Sequence, residues 1–71
     1  MSAIRKGSQV RWKWGSSTAT GKVVERFGRT VTRTLKGSKV TKRGSEETPA
    51  FLIEQDDGDR VLKLSTELDS A

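Results

Sequence analysis

Residues 50–64 read AFLIEQDDGDRVLKL. AFLIEQ (50–55) is apolar with aromatic and β-branched side chains, so it reads as a strand. Asp57-Gly58 is a strong hairpin turn signal, and RVLKL (60–64) is the return strand. Alternation puts Phe51 and Ile53 on one face and Leu52 on the other, towards the terminal turn. Pro49 cannot donate to a central ladder, so it precedes the strand.

Working outward, SQVRWKW (8–14) alternates cleanly. Val10, Trp12 and Trp14 fall on one face, and Gln9, Arg11 and Lys13 on the other. That is the pattern of a half-buried strand. Gly15-Ser16-Ser17 is loop chemistry. ATGKVVERF (19–27) is the next strand, where Gly21 marks a bulge or a close backbone approach. A kink at Gly28 would let it run on through TVTRTL to residue 35. Residues 29–44, RTVTRTLKGSKVTKRG, then form a basic hairpin. Gly37-Ser38 suits a glycine-first II′ loop, which pairs Leu35 with Val40 and sets Arg33 against Lys42. Moving the loop to Lys36-Gly37 shifts the pairing by two and keeps the faces. Val31, Arg33, Leu35, Val40 and Lys42 share one face. The threonines, Lys36, Lys39 and Arg43 take the other. Ser65 opens STEL, which predicts one short helical turn. Val10, Trp12, Val23, Ile53 and Val61 are the expected core.

The chain has 71 residues, room for one domain with a thin core. It has no cysteine and no histidine. That excludes a disulfide scaffold and a cysteine-ligated zinc site, and removes the commonest general base. No apolar run approaches a transmembrane helix, and MSAIRKGSQ lacks a signal peptide's apolar centre. A cytoplasmic, monomeric protein away from membranes is expected. The net charge of +5 hides a split. Residues 1–44 carry twelve Lys and Arg against one acid, Glu25; residues 45–71 carry two against eight acids. Either the basic half meets an anionic partner, or the two halves pair within the fold.

Five strands and tight turns predict an all-β fold, a small closed or partly closed barrel with an extended basic hairpin. The runner-up is an open twisted sheet with a protruding hairpin. GSQVRWKWG, TATGKVVE, TVTRTLKGSKVTKRGSEETPAFLIEQDDGDRVLKL and STEL together resemble the hypervirulence-associated TUDOR domain family, over about residues 6–68. The resemblance implies an SH3/TUDOR-like barrel of about five strands; the expected organisation is a single domain at 6–68 with flexible ends at 1–5 and 69–71. It brings no catalytic residue and no ligand. Better-known TUDOR relatives hold methylated lysine or arginine in an aromatic cage. Here only Trp12, Trp14, Phe27 and Phe51 are aromatic, and a small barrel needs most of them for its core.

Three function classes can be weighed on residues. Catalysis would fall to Glu46-Glu47 or Asp56-Asp57-x-Asp59, but both clusters lie in expected loops, and DDGD lacks the other ligands of a calcium loop. No P-loop pattern is present. The expectation is therefore no enzyme, no cofactor and no metal. A non-catalytic binding module is the leading reading, with a protein as its partner. The alternative is RNA, DNA or another polyanion, bound through Arg29, Arg33, Lys36, Lys39, Lys42 and Arg43, with Trp14 as a stacking ring.

Overall fold

The computed structural model describes residues 4–70. It is all-β: β1 (Gln9–Trp14), β2 (Ser17–Phe27), β3 (Thr30–Leu35), β4 (Ser38–Arg43), β5 (Ala50–Gln55), β6 (Arg60–Leu64), a 3-10 turn (Ser65–Glu67) and β7 (Asp69–Ser70). The order β6-β5-β2-β1-β7 makes one sheet curled into a half-barrel, and β3 and β4 form a separate two-stranded ribbon. The expected count of five becomes six full strands plus the two-residue β7. The chain bends at Gly28 and Arg29, so β2 and β3 are two strands, not one kinked strand. The short turn predicted at STEL is the 3-10 turn. Where the sequence reading ends the domain at 68, Asp69 and Ser70 pair with Arg11 and Val10.

The fold buries both faces of β5. Phe51 and Ile53 join Val10, Trp12, Val23 and Leu68 in one cluster. Ala50 and Leu52 join Phe27, Val31 and Leu62 in a second, on the opposite face. Leu52 therefore points away from Phe51, as alternation requires, but towards the ribbon and not the terminal turn. The terminal turn sends Leu68 to the first cluster instead. Val61, an expected core residue, is partly buried against that first cluster. A continuous apolar run such as AFLI is what a strand covered on both faces needs.

A bulge makes the two clusters compatible. The β2–β5 register shifts between Val23 and Glu25. Val23 pairs with Ile53 and faces the first cluster; Phe27 pairs with Ala50 and faces the second. Four residues along an unbroken strand would return to the same face. The extra residue at the bulge turns Phe27 to the other one, against the ribbon.

Two Gly-Ser pairs behave differently. Gly15-Ser16 closes the β1–β2 hairpin with Gly15 at φ +59° and Trp14 opposite Ser17. That is the glycine-first II′ loop. The basic hairpin does not use its Gly37-Ser38 pair this way. Its loop is Lys36-Gly37, with φ 52° and 77°, so both central residues are left-handed, as in a type I′ turn. Leu35 consequently pairs with Ser38, and Arg33 with Val40. The expected Leu35–Val40 pairing and Arg33–Lys42 opposition are not formed. The observed register has three physical advantages. It parts two like charges, sets the Thr32 and Thr41 hydroxyls 2.8 Å apart, and carries Lys36 to Asp59.

Candidate functional site

The six hairpin cations were expected to act together, and the structure separates them. Arg33, half-buried on the inner face, lies over the Phe27 ring at 4.7 Å from its centroid, and Arg29 lies at 5.6 Å from the same ring. Both are within cation–π range. At the loop, Lys36 Nζ meets Asp59 at 2.6 Å. Hydrogen bonding to Asp59, then its charge, raises the Lys36 pKa. On the inner face of β4, Lys42 Nζ donates to Glu67 Oε1 at 3.1 Å. Only Lys39 and Arg43, both exposed on the outer face, have no acid or ring partner among the described residues.

Glu67 is the anchor on the other side. Its carboxylate accepts from the Leu64 backbone N–H at 2.8 Å and from Lys42, with Lys63 Nζ at 3.9 Å. Partial burial pushes its pKa up. The Leu64 N–H, the Lys42 hydrogen bond and the charges of Lys42 and Lys63 together outweigh that and hold it below the usual carboxylate value. The acidic half of the chain thus clasps the basic hairpin at two points, Asp59 near its tip and Glu67 near its base.

Between hairpin and sheet runs an open groove of about 530 Å³. Its apolar lining comes from Trp12 and Ala19 of the β1–β2 hairpin, Leu35 and Val40 of the β3–β4 hairpin, and Val61 and Leu62 of β6. Lys36, Lys42, Arg60, Lys63, Asp57 and Asp59 set charge around this apolar lining. Trp14 stands on its wall, at the end of β1. Alternation places Trp12 and Trp14 on the same face, yet Trp12 is 3% exposed and Trp14 70%. Trp14 is the one large hydrophobic side chain left exposed among the described residues. β7 pairs with β1 only at Val10 and Arg11, so it stops short of both tryptophans.

Of the residues expected to make contact, Trp14, Lys36 and Lys42 meet at this groove, whereas Arg29, Arg33, Lys39 and Arg43 do not line it. Sequence reasoning missed Asp57, Asp59, Arg60, Val61 and Lys63 as groove residues. Their signal was the turn itself, because a hairpin that returns beside another hairpin brings its loop acids to the neighbour's loop. Trp12 and Trp14 are the only rings on the groove, and Trp12 is buried, so the geometry is not that of a several-walled aromatic cage.

The sequence model of the hypervirulence associated proteins TUDOR domain matches residues 7–68. No curated protein and no solved structure matches the chain.

Proposed function

We propose that this chain, which belongs to the hypervirulence associated TUDOR domain family, is a non-catalytic module that binds a protein through the groove beside Trp14. Membership carries the coarse part, a binding fold. The exposure of Trp14 on an apolar-lined groove carries the choice of partner. A tryptophan left 70% in water contributes little to its own fold, and interfaces are enriched in such rings. The surrounding charges, which are mixed and largely paired, suit the polar rim of a protein contact. The proposal takes the protein as a cytoplasmic monomer.

The reading in which the hairpin binds RNA or DNA is weakened by the same geometry. Four of its six cations are already engaged with Phe27, Asp59 or Glu67. Lys39 and Arg43 remain, a small footprint for a phosphate backbone.

The test is a pull-down from nuclease-treated lysate with the wild-type chain and with Trp14→Ala. A specific partner held by the wild type and lost by the variant is expected. Loss of every wild-type partner after nuclease, or equal retention by Trp14→Ala, overturns the proposal.

A further inference from the structure

The face of the β1–β2 ladder opposite the groove is differently built. Its outward residues are Gln9, Arg11 and Lys13 on β1 and Thr18, Thr20 and Lys22 on β2, and all six are exposed. The register sets Gln9 against Lys22, Arg11 against Thr20, and Lys13 against Thr18. No acid and no apolar side chain interrupts these three rows. Acids border the patch: Asp69 stands opposite Arg11 on β7, and Glu54 opposite Lys22 on β5. Neither forms an ion pair with the patch, and Glu54 is turned to Arg60 at 3.6 Å. Every ion pair formed among the described residues lies elsewhere, while Arg11, Lys13 and Lys22 have none. The chain matches Lys36 and Lys42 of its hairpin with acids and leaves these three cations without an ion pair.

We propose that this face is a second binding surface, which takes the phosphate backbone of a single-stranded nucleic acid. Arg11 and Lys13 sit two residues apart on an extended strand, about 6.6–6.8 Å, a spacing suited to successive phosphates of an extended strand. Threonine hydroxyls alternate with the cations, and hydroxyls are regular phosphate donors. The absence of any apolar side chain from the three rows disfavours a bilayer, which needs one to insert. The absence of a ring disfavours base stacking, so binding is independent of sequence and sensitive to salt. This surface is separate from the Trp14 groove and stands or falls apart from it.

The probe is a thymidine oligonucleotide titrated into the ¹⁵N-labelled chain at about 50 mM salt. Amide shifts are expected at Arg11, Lys13, Thr18, Thr20 and Lys22. The logarithm of affinity should fall with the logarithm of salt at a slope of about −2, for three phosphates on a single strand. The triple variant Arg11→Gln/Lys13→Gln/Lys22→Gln should weaken binding about tenfold or more, with Trp14→Ala unaffected. Lys13→Gln alone, which cannot threaten an exposed position's fold, should weaken it measurably. Absence of binding overturns the proposal. So do shifts confined to Lys39 and Arg43, a triple variant that binds as well as wild type, or equal binding to polyglutamate or to anionic vesicles.

Discussion

Gly21 lies where β2 crosses β5 too closely for a side chain. A Cβ there would stand 2.6 Å from Ile53 Cγ2 and 2.8 Å from the Glu54 carbonyl oxygen. Ile53 is fully buried and the oxygen belongs to backbone, so neither can retreat freely. Gly21→Ala should therefore destabilise the domain by about 1–3 kcal/mol, read from urea denaturation. Trp14 is the opposite case. Its ring is mostly in water, and Trp14→Ala should shift the same curve by no more than about 0.5 kcal/mol. The two substitutions separate a residue that the fold requires from one that it does not use.

At the scale of the element, the basic hairpin is held by electrostatics at both ends and by Val31, Leu35 and Val40 along its inner face. Because the Glu67 pKa is lowered in the folded state, its contribution is present above the usual carboxylate range. It is lost as pH falls through the lowered value. The protection factors of the β4 amides against hydrogen exchange, corrected for the intrinsic rate at each pH, should therefore fall on acidification, and in Glu67→Gln they should be lower at neutral pH and lose that acid-dependent step. Unchanged exchange in that variant would show that packing alone holds the ribbon. At the tip, Lys36 occupies a left-handed φ that asparagine tolerates better. In high salt, which screens the Asp59 pair, Lys36→Asn should equal or exceed wild-type stability, again by denaturation. In low salt the lost pair should offset part of that gain. Period-two patterning made most strands and the hairpin's two faces legible, because alternation is a local property. The register was not legible. Gly37-Ser38 and Lys36-Gly37 are both acceptable loops locally, and one of the contacts that favours the second is with Asp59, far along the chain. The bulge at Val23–Glu25 was hidden for a similar reason, since Val23 and Phe27 have the spacing of one face.

Across the whole molecule, the charge split between residues 1–44 and 45–71 resolves into two parts. In the hairpin, Asp59 and Glu67 pair with Lys36 and Lys42, while Arg29 and Arg33 lie over the Phe27 ring. The β1–β2 share stays free. A run such as RTVTRTLKGSKVTKRG announces its charge in sequence, but its pairing depends on acids that arrive later in the chain. Trp14 was legible as a candidate because it ends a strand beside Gly15. The groove it flanks was not, since two separate hairpins and β6 build it. The most direct measurement selects a displayed random-peptide library on the domain and maps the enriched peptides by amide shifts. The account predicts shifts at Trp14, Ala19, Leu35, Val40 and Val61, and loss of binding in Trp14→Ala. Failure to enrich any peptide, shifts lying outside the groove, or peptides that bind Trp14→Ala as tightly would contradict it.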